Sequence, residues 1–407
     1  MLSFDEAQAF FASCVAPVAE TERIWLGGAA GRVLAQDIVA SFDAPSVDKS
    51  AMDGYAIAAA DHVDGRTFPI QQVSYAGMAP ERLKPGHAIR LFTGSVMPEG
   101  ADTVIPEEAA QKIEGGVRLC AAPAPGAHVR RKGEDVSAGT LLIPAGAVLT
   151  SGHIASLASQ GIDALRVYRL VEVSLLITGD ELSFEDAVPA SHRVNDVNGP
   201  MLESMVESLG AMVVSRRQVR DNERDLHDAI IEMSGEADIV LITGGTSGGE
   251  RDLVEAALVS AGGEVLCHQV NMKPGMPIAL GGLRDKAVVC MPGNPAAAFT
   301  TFALLVTPML RRLQGRGQIY PPVRSVQTEL PDIGRSQRDE FFRASVSGAW
   351  GARGSDTGVD RVSILAQQAP ASVSSLGEAT GFVRVGPHVG TRAANTLPFY
   401  ELDRWLN

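Results

Sequence analysis

Between residue 170 and about residue 318 the chain alternates strand-like and helix-like segments four times, which limits the fold more than any other feature. "VEVSLLI" (171–177) is a nearly continuous apolar run, as a strand covered on both faces requires. "MLESMVESLG" (201–210) places Met201, Leu202, Met205, Val206 and Leu209 on one helical face and stops at Gly210. "AMVVSRRQV" reads as a strand, and "NERDLHDAIIEM" as a helix that Asn222 can cap. "DIVLITGG" and "DLVEAALVSAGG" repeat the pattern, and "KAVVCMPGN" with "PAAAFTTFALLVTPMLRRLQG" completes it. This succession predicts a parallel α/β sheet over 170–318.

The flanks read differently. A helix is expected from "SFDEAQAFFASCV", where Ser3 and Glu6 have capping-box spacing. From about residue 32 short apolar runs are punctuated by Gly and Pro, as in β-rich structure. "GTLLIPAGAVLTSGHIASLASQGIDALRVYR" (139–169) then returns to strand, short helix closed by Gly161, and strand. The expected organisation is a discontinuous first domain (1–40 and 140–169) with a β-rich domain (41–139) inserted in it. The α/β domain (170–318) follows, and then a C-terminal β-rich domain (319–407).

Composition narrows the function. The net charge is −13, and the one dense basic run, "HVRRKGED", ends in two acids, so no basic face is offered to nucleic acid. No apolar run is long enough to span a bilayer, and the N-terminus lacks the features of a signal peptide. Cys14, Cys120, Cys267 and Cys290 are widely spaced, without a zinc or disulfide pattern. These features lead to the expectation of a cytoplasmic protein with free thiols, without nucleic-acid or membrane partners.

In an open parallel sheet, ligands bind beyond the carboxyl ends of the strands. The segments following the expected strands are "TGDEL", "RDN", "TGGTSGGERD" and "MPGNP". Glu181, Asp221 and Asp252 are thereby expected on one rim with the loop of Gly244, Gly245, Thr246 and Ser247. Glycine N–H groups, two hydroxyls and a helix start can cradle a phosphate, although a plain tight turn uses the same residues. Each carboxylate alone could merely complement a helix dipole. Three beside an anion cradle suit a hard divalent cation, with Mg²⁺ the natural candidate because no His or Cys cluster offers softer ligands. Lys273, in "NMKPGMP", is either a solvated charge or an anion ligand. Asn294, between Pro292 and Pro295, is either a turn former or a ligand contact. In the inserted segment, "DKSAMDGYAI" holds Asp53 at a turn signal, and nearby loops add Thr93, Arg130, Arg131, Glu134 and Asp135.

Taken in order, "SAMDGYA", "FTG", "RRKGEDVSAG", "TGDEL", "GGTSGGERD", "MKPGMP" and "MPGNP" resemble the molybdopterin molybdenumtransferases, the family of MoeA and the gephyrin E domain. The resemblance spans essentially the whole chain and is weakest in the C-terminal segment. It implies an α/β domain of the molybdopterin-binding type within an elongated four-domain homodimer. The composite cleft would lie between the α/β domain of one subunit and the inserted domain of the other. The implied reaction inserts molybdate into adenylylated molybdopterin with a divalent cation, releasing AMP and molybdenum cofactor. Transient contacts with molybdopterin adenylyltransferase and recipient molybdoenzymes are implied as well. By matching position, the resemblance implies that Asp53, Asp135, Glu181, Asp221 and Asp252 are cleft acids. Thr93, Lys273, Pro292 and Pro295 likewise fall at family site positions. Two positions depart from the pattern: Met276 replaces a second lysine, and Ala297 replaces a serine. The rival readings are a molybdopterin adenylyltransferase, which resembles only the α/β domain, and a non-catalytic scaffold.

Overall fold

The computed structural model describes residues 1–120, 122, 124–183, 193–245, 253–330, 336–346, 360–387 and 396–406. At its centre is a six-stranded sheet in the order Met212–Val219, Glu172–Thr178, Ile239–Thr243, Lys286–Met291, Ala279–Leu283, Glu264–His268. The first four strands are parallel, as the alternation of strands and helices predicts. The last two are antiparallel, a departure from the all-parallel expectation. Strands Ala279–Leu283 and Lys286–Met291 form a hairpin whose tight turn carries Arg284 at φ 58°. No Gly or Asn marks that turn, so the usual hairpin signal is missing from the sequence.

Alternating strand residues feed two cores, as expected of a sheet covered on both faces. Leu175, Ile177, Leu241 and Val289 pack with helix Asn198–Ser208 and the helix after Met291. Leu176, Val240, Ile242 and Val288 pack on the other face against helices Glu223–Glu236 and Val254–Ser260. Asn222 caps the first of these by accepting from the Asp225 N–H. The expected long helix runs as Pro295–Thr301, a π-helical turn Phe302–Val306, and Thr307–Leu313. Pro308 has no N–H to give the carbonyl four residues earlier. That carbonyl, on Leu304, instead accepts from the side-chain amide of Gln8 at 2.8 Å.

Gln8 belongs to helix Phe4–Ser13, which starts with the expected Ser3/Glu6 capping box. Phe4 and Phe11 are fully buried in the core of the α/β sheet, and Phe4 also meets Phe341 and Tyr400 from the C-terminal segment. The Arg384 guanidinium grips both oxygens of Asp5 at 2.7 Å and also reaches Asp339. The N-terminal helix is therefore packed away from the strands that follow it in sequence.

Those strands, Thr21–Trp25 and Ile38–Val39, pair with Ala164–Tyr168 and Leu141–Ile143. Leu34, Ile38, Ile143, Leu157 and Val167 form their common core. The intervening chain builds a four-stranded sheet (Ile70–Ser74, Ala88–Leu91, Gly54–Ile57, Thr103–Pro106) beside a three-stranded one. At the C-terminal end, Arg324–Gln327, Asp339–Val346, Asp360–Ile364, Gly381–Val385 and Leu397–Glu401 close into a barrel. Closure comes from Asp339–Val346 pairing with both Asp360–Ile364 and Gly381–Val385. The short strand Met272–Lys273 adds to this barrel beside Asp339 and Glu340. No disulfide joins the four cysteines, and no helix among the described residues is long and apolar enough to cross a membrane.

Candidate active site

The register of the parallel strands decides what shares their carboxyl edge. Thr178 lies opposite Val219, Ile177 opposite Thr243, and Thr243 opposite Met291. The segments beginning at Gly179, Arg220, Gly244 and Pro292 consequently emerge side by side. At Gly244 (φ 106°) an added Cβ would sit 2.0 Å from the Thr178 carbonyl oxygen, so only glycine is tolerated. Gly245 also has a left-handed backbone (φ 62°), and a Cβ placed on Gly293 would lie 3.4 Å from the Gly244 Cα. The two turns thus present bare backbone to each other.

A residue that the sequence reading passed over joins them. Asn198 is buried at the start of its helix and donates from Nδ2 to both the Thr243 hydroxyl and the Gly293 carbonyl, each at 2.8 Å. The Thr243 hydroxyl in turn donates to the Pro292 carbonyl at 2.9 Å. Asn198 Oδ1 is buried and accepts no hydrogen bond. Its signal in the sequence is "NDVNGP", a polar cluster opening the helix after the first strand, ahead of the apolar helical face that begins at Met201. Asn294 precedes the helix at Pro295 without capping it through its side chain.

Of the expected metal ligands, Asp221 accepts the Thr178 hydroxyl at 2.5 Å, and its N–H lies 3.3 Å from Asp180 Oδ1. The Glu181 carboxylate lies over Gly179, so close that a Cβ there would be 2.7 Å from it. Asp252, Thr246 and Ser247 lie outside the described residues. Among the described residues no three His, Cys, Asp or Glu side chains are grouped to hold a metal ion.

The remaining expected residues stand elsewhere. Asp53 and Thr93, forty positions apart, are joined directly: the Thr93 N–H and hydroxyl both donate to Asp53 Oδ1 at 2.7 Å. The hydroxyl, then the N–H, hold the Asp53 carboxyl below its ordinary range, with Arg90 adding to the effect. Arg90 is itself buried, lies over the rings of Tyr55 and Phe92, and is paired with Glu107. Asp135 is exposed, and its N–H donates to the Ala44 carbonyl. Lys273 Nζ is 3.2 Å from Oε1 of the buried Glu340, so its charge already has a partner. No hydrogen bond or ion pair among the described residues joins Asp53, Thr93 or Asp135 to the strand-edge turns. Met276 is half-buried and its carbonyl accepts from Val270, while Ala297 is buried in the first turns of its helix.

Residues 2–161 match the MoeA N-terminal region (domain I and II), and residues 174–312 match a probable molybdopterin binding domain. A molybdopterin molybdenumtransferase of Haemophilus influenzae is 36% identical over 79% of this chain and 80% of that protein. One from Nostoc sp. is 36% identical over 75% of this chain and 72% of the relative. The molybdopterin biosynthesis MoeA protein from Pyrococcus horikosii shares the fold with a TM-score of 0.82 at 26% identity, covering 99% of both chains. A parallel α/β core with glycine turns at its strand ends, carried on β-rich modules and a closing barrel, defines a molybdopterin-binding biosynthetic protein. More particularly, the chain belongs to the molybdopterin molybdenumtransferase (MoeA) family.

Proposed function

We propose that this chain inserts molybdate into adenylylated molybdopterin, releasing AMP and molybdenum cofactor. The observation that carries the reading is the pair of turns at Gly244 and Pro292–Gly293, locked together by Asn198 and Thr243 at the carboxyl edge of the parallel strands. Both substrates are anions, and such an edge offers backbone N–H groups without side-chain shielding. Thr246, Ser247, Asn294 and the prolines 292 and 295 complete the proposed pterin and phosphate contacts. Lys273 supplies a cation once a ligand competes with Glu340 for it.

The oxygen-only donors Glu181, Asp221 and Asp252 fit a hard divalent cation such as Mg²⁺. When bound, the ion would offset the charge of the leaving phosphate. Asp221 is pre-oriented for this by the Thr178 hydroxyl. Asp53 and Asp135 belong, in this reading, to a cleft completed by a second subunit. The family resemblance supports that placement.

Purified protein given adenylylated molybdopterin and molybdate should release AMP and yield cofactor able to activate a molybdoenzyme apoprotein, and it should do so only with Mg²⁺. Formation of adenylylated molybdopterin from ATP and molybdopterin, without subsequent insertion, would instead establish the adenylyltransferase reading. Activity undiminished by chelation of divalent cations would remove the metal from the proposal.

A further inference from the structure

The end of the four-stranded sheet that carries Asp53 also carries an aromatic stack. Leu91 pairs with Ser74 on one side and with Gly54 on the other. One position beyond that row stand Tyr75, Phe92 and Asp53, on three neighbouring strands. Two strand spacings separate the backbones of Tyr75 and Asp53 by about 10 Å.

The rings of Tyr75 and Phe92 are stacked, with planes 8° apart and centroids 4.8 Å apart. Arg90, buried and paired with Glu107, holds its guanidinium 5.0 Å from the centre of the Phe92 ring and 5.0 Å from that of Tyr55. Stacked and cation–π contacts of this kind fix the orientation of the rings they join. The backbone is fixed too. The Ser95 hydroxyl donates to the Ser74 carbonyl at 3.2 Å, and the Met78 N–H donates to the Tyr75 carbonyl at 3.0 Å through a turn with Gly77 at φ 88°.

Phe92 covers one face of the Tyr75 ring, yet Tyr75 is 54% exposed. Its strand, Ile70–Ser74, lies at the edge of the sheet, so no further strand covers the other face. A lone surface tyrosine needs no explanation. This one is clamped by a stack that runs back to a buried arginine, and is thus a flat apolar surface ordered before any ligand arrives. Ordering in advance lowers the entropy cost of binding.

We propose that the open face of Tyr75 stacks a fused nitrogen heterocycle of the substrate, either purine or pterin. The inference rests on the proposed function, whose substrate carries one such ring at each end of a phosphate linkage. The separation of Tyr75 from Asp53 is shorter than such a molecule, so one ring can rest on Tyr75 while the linkage passes Asp53. An aromatic face accepts either ring, because stacking needs only a π-face.

Calorimetric titration of the full chain with AMP, neopterin and the ringless ribose 5-phosphate tests the platform. Tyr75→Leu keeps an apolar side chain but removes the flat ring. It should weaken AMP or neopterin about tenfold and leave ribose 5-phosphate unchanged. Tyr75→Phe should hold the same probe within about twofold of wild type. The probe that responds identifies the ring. In the insertion assay, Tyr75→Leu should raise the KM for adenylylated molybdopterin about tenfold with little change in kcat. A wild-type chain that inserts molybdate, while folded Tyr75→Leu binds both ring probes unchanged, would overturn the platform and leave the proposed function standing. A chain that inserts no molybdate, yet loses a ring probe through Tyr75→Leu, would overturn the function and leave the platform. Failure of wild type to bind either ring probe saturably would also overturn the platform.

Discussion

Thr93 spends both its backbone N–H and its hydroxyl on a single oxygen of Asp53, at 2.7 Å each, across forty residues of sequence. The arrangement orients the carboxylate and leaves Oδ2 outside the pair. Since the folded pKa of Asp53 is depressed, this contact stabilises the fold above the unfolded aspartate value of about 3.9. The contribution fades as pH falls through the lower folded value. If Asp53 works as an ionised group, Thr93→Val should move the acid limb of the pH–rate profile upward and lower turnover at pH 7. An unchanged acid limb would mean that the pair only shapes the loop.

Asn198 clamps the two glycine turns through both protons of one amide. Replacing it by Ala removes two hydrogen bonds and leaves buried acceptors unpaired, at a cost of about 2–3 kcal/mol. Urea unfolding should register this loss. Substrate affinity should fall with it, because the separation of the turns is no longer fixed. A variant with reduced stability but unaltered substrate affinity would confine Asn198 to a structural role.

A cleft completed by a second subunit, as proposed, predicts complementation. Asp53→Ala and Asp252→Ala should each be inactive, yet their equimolar, exchanged mixture should recover about a quarter of wild-type activity. Half the dimers of a two-fold assembly are then hybrids with one intact cleft. Hybrids shown to form by differential tagging, yet inactive, would argue against a shared site. In the otherwise unaltered chain, Asp252→Asn should raise the Mg²⁺ concentration needed for half-maximal turnover.

Lys273 and Met276 can be told apart by charge. Lys273 is tied to the buried Glu340, so Glu340→Gln should release it and lower the molybdate concentration for half-maximal insertion. Lys273→Ala should raise that concentration by about tenfold, the worth of a charged hydrogen bond. Should Met276 face the same anion, Met276→Lys should lower it by a similar factor. A lower melting temperature with an unchanged molybdate requirement would identify Met276 as apolar filler beneath the turn.

The amino-acid sequence by itself determined the elements whose signals are local. The four segments read as strands became the parallel strands, and the side chains of Ser3 and Asn222 became the expected helix caps. Parallelism also placed the turns at Gly179, Arg220, Gly244 and Pro292 on one edge, because strands linked by helices must point the same way. Tertiary structure alone decided what depends on distant partners. The antiparallel hairpin turns at Arg284, held left-handed by its neighbours without a glycine to announce it. The first helix left its sequence neighbours because Phe4, Asp5 and Gln8 found partners some 300 residues or more away. Asn198 reached Gly293, and Lys273 reached Glu340, across gaps that no periodicity spans. Local patterns record propensity and burial, whereas a hydrogen bond between remote residues exists only once the sheet has brought them together.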